Sequence, residues 1–395
     1  QKGLIKIGNE RVVEARLSDA EFFWNKDKTQ NLVKKVSELK TMSFFKGLGT
    51  YFDKVQRMRK LGGIISDELL ISKEKVELSA SICKTDLTSD LVGEFPELQG
   101  IMGGYFSTYQ GFDKDISLAV TEQYLPIGLD SKAPKKPFSV ALSVTDKIDT
   151  LVGFFGINEK PTSSKDPFAL RRIALGIIRT IIENKKDLKL NDLIRFSSSL
   201  YHNQGHSFSN QDSGKELFNF LKDRFKYYMK EKKIRFDIIE ASISSFSLNK
   251  LFSSFEKAKS LNKIINNQSG LDITSSYKRA SNILYSEIKK GEVEITNTTD
   301  PGIFKTDFEK NLYKKISEIK KYYSNIDNDE NYEQSLSILA GAKKEIFEFL
   351  DNVKVNEDND TLRKNRLELI NMLCKTFQNF INFQLLKANN EEVSF

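Results

Sequence analysis

Histidine is nearly missing from this chain: there are two, His202 and His206, and none precedes residue 202. Imidazole is the usual metal ligand and general base near neutral pH, so the first half of the chain cannot build metal-assisted hydrolysis on it. Cysteine is equally scarce. Cys83 and Cys374 lie far apart, and neither has a histidine or second cysteine at ligand spacing, which excludes a disulfide framework and argues against a zinc site. No run of about eighteen uncharged apolar residues occurs, and no basic-then-apolar leader opens the chain. A soluble, cytoplasmic protein with no membrane partner is expected. A Gly-rich loop followed by Lys-Ser/Thr, which would cradle phosphates, is also absent.

What is present suffices for a folded protein. The 395 residues are 39% apolar and 11% aromatic, enough for a sizeable core and for two or three domains. The chain opens at Gln1 within an amphipathic pattern, so it is expected to be part of a longer polypeptide. The net charge of +7 is unevenly spread: residues 1–159 carry 22 basic and 22 acidic side chains, residues 160–270 carry 21 and 11, and residues 271–395 carry 18 and 21. A local excess of this kind suits a surface facing a polyanion, where each lysine or arginine displaces condensed counterions. A solvated, Lys-rich face is the alternative.

The patterning is mainly α-helical. Apolar residues recur at three-and-four spacing around 41–61, 74–92, 114–125, 137–153, 166–182 and 215–230, and again over 307–324, 332–350 and 361–387, which predicts a terminal bundle of three antiparallel helices. Breaks are expected at 93–113, 128–137, 202–214 and 291–306. Residues 11–17 (RVVEARL) alternate as a short strand would, which predicts a β remnant of an upstream domain at the N-terminus. Asp166 followed by Pro167 predicts a helix start, with Phe168, Ile173, Ile177 and Ile181 facing inward.

Several residues have chemistry worth following. Arg171, Arg172 and Arg179 follow the Asp166 cap, and Lys165 precedes it; guanidinium forks suit phosphate, although one of the arginines could instead bridge to Glu94, Glu97, Asp146 or Asp149. His202 and His206, four apart, lack a third ligand and read as surface residues. In 215–235, Leu217, Phe218, Leu221, Phe225 and Tyr228 form an apolar stripe, while Lys222, Lys226, Lys230 and Lys233 repeat on another face, as a phosphate track or a solvated surface.

The series SICKTDL (81–87), VGEFPELQGIMGGYFS (92–107), SVTDKIDTLVGFFGI (143–157) and PTSSKDPFALRRIALGIIR (161–179) closely resembles the β subunit of the bacterial α2β2 glycyl-tRNA synthetase. ERVVEARLSDAEFFW (10–24), GLGTYFDKVQRM (47–58), YKRASNIL (277–284) and LRKNRLELINML (362–373) fit the same family, so the resemblance covers nearly the whole chain. It implies four segments: the end of an upstream domain (1–25), an HD-like helical domain (26–200), a basic helical connector (201–270) and a DALR-like anticodon-binding helical bundle (271–395).

The HD phosphohydrolase site needs a histidine, a His-Asp pair and a final aspartate. Here the pair's neighbourhood reads Lys84-Thr85-Asp86, with Asp146 or Asp149 at the final acidic position, so the resemblance implies a degenerate site that holds no metal. Structural ion pairing is the expected use of Lys84, Asp86, Asp146 and Asp149. In the last domain Tyr277, Lys278, Arg279, Arg363 and Arg366 have the chemistry to stack on or bond unpaired bases. The family role is to bind and position tRNA(Gly) for glycylation by the α subunit. That subunit uses ATP and Mg2+; no cofactor and no catalytic residue is expected in this chain, which carries no class II signature. A metal-dependent HD-type nucleotide phosphohydrolase and a purely structural tetramer-assembly subunit are the rival readings.

Overall fold

The chain begins as one continuous helix, α1 (Lys2–Asp27), so the strand expected at 11–17 does not form. The reason is hydrogen-bond accounting. A strand needs a ladder partner, and among the described residues the one sheet is β1 (Ser43–Phe45) paired with β2 (Gly49–Thr50); a helix satisfies its backbone internally. Val12 and Val13, which suggested alternation, are both exposed. The C-terminal part of α1 is anchored: Ala20, Phe23 and Trp24 pack on the core, and Trp24 stacks on Phe106 at 5.5 Å.

The computed structural model describes residues 2–128, 130–244, 246–291, 294–324 and 331–387, in two units: Gln1–Phe225 with Leu248–Leu251, and Lys226–Ser247 with Phe252–Phe395. In the first unit α2 (Leu32–Lys35) precedes the β-hairpin, and α3 (Tyr51–Leu69), α4 (Lys73–Ile82), α5 (Asp90–Glu94), α6 (Ile101–Tyr109) and α7 (Lys114–Glu122) follow it. Next come α8 (Pro137–Gly156), α9 (Leu170–Glu183), α10 (Leu190–Asn203) and α11 (Ser213–Glu231), whose residues from Lys226 onward belong to the second unit. The hairpin interrupts the helical pattern expected over 41–61. Thr50 ends it by capping α3: its hydroxyl accepts from Asp53 N at 3.2 Å while Asp53 Oδ2 accepts from Thr50 N at 2.8 Å.

α8 organises this unit. It packs against α3, α7, α9 and α10, and 17 of its 20 residues are buried, which makes it a helix enclosed on all sides. On α9 the buried Ile177, Ile178 and Ile181 each contribute roughly 1.5–3 kcal/mol of burial. α6 forms inside the segment expected to be a break. Its glycines serve packing: a Cβ on Gly104 would lie 1.8 Å from Thr121 Oγ1, so α6 and α7 lie close only because it is glycine. Gly153 does the same for α10, since a Cβ there would lie 2.3 Å from Tyr201 Oη.

The second unit contains α12 (Phe236–Ile243), α13 (Leu251–Ile264), α14 (Gln268–Lys290), α15 (Asp307–Ser324), α16 (Tyr332–Ala340), α17 (Lys343–Asn352) and α18 (Asp360–Gln378). α14 packs on α16, α17 and α18, and α15 on α17 and α18. α14 carries the YKRASNIL segment and adds to the three helices expected from periodicity, the 332–350 helix is two helices meeting at Gly341, and the last helix stops at Gln378. Arg366 is buried at its centre. Its guanidinium donates to Glu309 Oε1 at 2.8 Å and Lys354 O at 2.8 Å, tying α18 to α15 and to the acidic loop before α18.

Gly153→Ala should cost about 1–3 kcal/mol, because the methyl must displace Tyr201 from a filled interior. Chemical denaturation of the variant beside the parent measures it; an unchanged midpoint would mean that α8 and α10 can separate freely.

Candidate functional site

A helix buried on all sides must pair any charge it carries, and α8 carries Asp146, Lys147 and Asp149. α3 supplies Lys54 and Arg57, three apart and on one face. The Arg57 fork reaches Asp149 through Nε at 2.7 Å and Nη2 at 3.1 Å, and Lys54 Nζ reaches Asp149 Oδ2 at 3.2 Å and Asp146 Oδ1 at 3.1 Å. Lys84 approaches the same Asp146 oxygen at 3.2 Å and lies 4.0 Å from the centre of the Tyr124 ring. From α10, the Tyr201 hydroxyl donates to the Asp149 backbone carbonyl at 3.0 Å, and the Arg57 guanidinium stacks on its ring at 3.7 Å. Gln204 closes the cluster, accepting from Arg57 Nη1 at 2.7 Å and donating to Asp53 O at 2.9 Å.

The electrostatics follow from burial against pairing. Burial alone would raise Asp149, but Arg57 and Lys54 overcome it and hold the carboxylate below its usual range. Burial acts likewise on Asp146, and Lys54, Lys84 and Lys147 overcome it, leaving Asp146 well below the usual value. Lys147 has no such compensation: burial pushes it down to about 7 against the pull of Asp146, and its ammonium donates to Leu125 O and Ser143 Oγ, both at 2.7 Å. Asp86 points elsewhere. It accepts from Gly100 N at 2.5 Å and Gly103 N at 3.2 Å at the start of α6, and burial raises it to about 6 despite those donors. Burial also lifts the Cys83 thiol to about 12, which removes it as a nucleophile.

Lys84, Asp146 and Asp149 therefore meet in one network through Lys54, while Asp86 caps a helix. Both α8 carboxylates are occupied by ammonium and guanidinium groups. Among the described residues no three His, Cys, Asp or Glu side chains are grouped to hold a metal ion. The network is the kind of structural ion pairing that a helical core requires. Sequence reading passed over Lys54, Arg57, Tyr201 and Gln204; the available signal was two cations inside the apolar periodicity of α3.

The residues singled out for RNA divide by exposure. Lys165 and Arg172 are exposed. Asp166 does cap, its carboxylate accepting from Leu170 N at 2.8 Å and Arg171 N at 3.0 Å, but the helix starts at Leu170, after Ala169 in the left-handed region, and not at Pro167. Arg171 folds back onto the Thr162 and Lys165 carbonyls. Arg179 bridges to none of the acids anticipated: it donates to Glu183 Oε1 at 3.0 Å and to the Gly128 and Ser131 carbonyls at 2.8 and 2.7 Å, pinning the loop before α8.

In the second unit Lys278 is half-buried, and Arg279 pairs with Asp351 at 2.5 Å. Arg363 bonds Asp360 at 3.1 Å. Tyr277 corrects the expectation most clearly. It is wholly buried between Phe377 and Phe383, with its hydroxyl accepting from Gln378, so it offers no ring to an unpaired base. Arg366 is likewise consumed by Glu309.

His202 ends α10 against Phe208, and His206 sits beside Tyr201, where burial first and Arg57 second lower its pKa. Of the lysine row, Lys226 pairs with Glu240 at 2.9 Å, and Lys233 lies beyond the end of α11.

Residues 273–389, covering most of α14 and all of α15 to α18, match the model of the DALR anticodon binding domain. Residues 1–244 match the model of the glycyl-tRNA synthetase beta subunit, and the chain belongs to that family. It is 37% identical over 385 residues to the glycine–tRNA ligase beta subunit of Rickettsia canadensis, a match covering 97% of this chain and 55% of that protein. The Rickettsia prowazekii counterpart is 36% identical over 96% of this chain and 54% of its own length. The chain spans about half the length of these curated relatives. Among the described residues no helix is long and apolar enough to cross a membrane.

Asp149→Ala, which leaves Arg57 buried without its counter-charge and Lys54 with Asp146 alone, should cost about 3–5 kcal/mol in urea denaturation. A loss below about 1 kcal/mol would show that the network is dispensable. Asp86 gives a pH signature. An acid whose folded value of about 6 exceeds its unfolded value of 3.8 holds its proton more tightly in the fold, so stability falls as pH rises from about 4 through about 6. Asp86→Asn should flatten that window by on the order of 2–3 kcal/mol, read from urea midpoints across pH.

Proposed function

We propose that this chain is the tRNA-handling part of a glycine–tRNA ligase β subunit, which holds tRNA(Gly) by its acceptor side and its anticodon for ATP-dependent glycylation on an α subunit of an α2β2 enzyme in the cytoplasm. The observation that carries this reading is the succession, in one chain, of a glycyl-tRNA synthetase beta-subunit match over 1–244 and an anticodon-binding match over 273–389. ATP and Mg2+ would be used by the α subunit. This chain would contribute orientation, since holding the acceptor end in place removes an entropic cost that can reach several kcal/mol.

The residues fit a binding role better than a chemical one. Cys83 and Cys374 are buried thiols, and Asp146 and Asp149 are neutralised by buried cations, which weakens the phosphohydrolase reading. Exposed cations remain in the basic middle segment, Lys165 and Arg172 among them, where phosphate contacts would hold the tRNA without reading its sequence. A purely structural subunit would leave the tRNA affinity of the α subunit unchanged when added to it.

Filter binding of tRNA(Gly) between about 50 and 200 mM salt tests the reading: affinity should fall steeply with salt. Lys165→Ala with Arg172→Ala should lower the slope of log affinity against log salt by about one to two and leave the melting temperature unchanged. Arg179→Ala should instead lower the melting temperature, because its guanidinium holds the Gly128 and Ser131 carbonyls. Affinity indifferent to salt would overturn the assignment of the middle segment.

A further inference from the structure

A cleft of about 420 Å3 lies between residues 296–303 and the first turns of α18, with Thr298, Asp300, Asp360, Lys364 and Glu368 among its lining. That volume falls within the roughly 300–1,000 Å3 of small-ligand sites. Its wall is built by one face of α18. Asn365 pairs with Asp300 in both directions, accepting from its N–H at 2.8 Å and donating to its carbonyl at 2.9 Å. Glu368 Oε1 accepts from Thr296 N, from Thr296 Oγ1 at 2.9 Å and from Asn297 N at 3.0 Å, and Asn371 donates to Asn297 Oδ1 at 3.0 Å.

The other Glu368 oxygen is unspent. Glu368 is 1% exposed, yet Oε2 has no donor partner, so it carries a desolvation penalty that a ligand N–H would relieve. One turn earlier on the same face, Lys364 contributes the basic side chain of the lining. An acceptor-only carboxylate in the wall and an ammonium one turn away complement a nucleotide: a base with an amino group inside and its phosphate outside.

We propose that this cleft receives one unstacked cytosine or adenine of the anticodon loop, whose exocyclic amino group donates to Glu368 Oε2 while the adjoining phosphate meets Lys364. The proposal rests on the tRNA-binding reading above. A carboxylate accepts from the amino group of cytosine or adenine and is repelled by the carbonyl that uracil presents at the same place, so the cleft discriminates by hydrogen-bond polarity.

The test titrates the full chain with stem-loop RNAs carrying the tRNA(Gly) anticodon loop, with each cytidine or adenosine of the loop changed in turn to uridine. One position should cost the parent chain about tenfold in affinity. Glu368→Gln should erase or reverse that preference, because the amide oxygen can keep the three donors on Oε1 while the amide nitrogen replaces the free acceptor with a donor. Lys364→Gln should weaken all loops alike and reduce the salt slope by about one. A parent chain that binds the loops with every substitution within about twofold, or a folded Glu368→Gln that keeps the parent's preference, overturns the cleft and leaves the tRNA reading standing. Should Glu368→Gln fail to fold by circular dichroism, the parent scan and Lys364→Gln decide. A parent chain that binds no loop overturns both.

Discussion

The enclosure of α8 is the constraint on which the first unit depends. Because that helix is covered on every side, Asp149 can exist there only with Arg57, Lys54 and Tyr201 around it, and those partners come from two other helices. Their reach fixes where α3 and α10 lie along α8. Gly153 then becomes necessary, since Tyr201 occupies the space its side chain would need. Ion pairs of this kind add little net stability over a well-packed apolar core, but each pair disallows packings in which a partner is displaced. Their value here is in specifying one arrangement of helices.

The second unit repeats the principle with other residues. Arg366 and Glu309 lock α18 to α15, and the same Glu309 caps α15 through Thr306, so one carboxylate serves both helix packing and helix initiation. Asn365, Glu368 and Asn371 pin the segment 296–303 along the same helix. Arginines and aromatics that look suited to nucleic acid are thereby used to hold the bundle. What remains for a ligand is the smaller set of exposed cations, together with the unpaired Oε2 of Glu368 in the wall of the cleft.

Legibility in the sequence followed the range of the interactions. α7, α8, α9 and α11 were visible because three-and-four periodicity is local, and Asp166 was recognisable as a cap because capping spans only a few residues. α1 was misread over 11–17, since alternation and helical spacing overlap in RVVEARL and the missing strand partner is a tertiary fact. α6 was hidden by Gly103 and Gly104, which signal a break locally but allow close packing against α7. Arg179 and Tyr277 were identified by chemistry; their partners, 48 to 51 and about 100 residues away, could not be.

By itself the sequence determined the helical class, the family and the deficit of metal ligands, because periodicity, motif order and the count of histidines are properties of the chain. Tertiary structure decided which charges are spent. Whether Lys84, Arg179, Arg366 or Tyr277 faces solvent or a partner depends on contacts between segments far apart in sequence. No local pattern encodes the burial that turns a candidate ligand-binding side chain into a structural one.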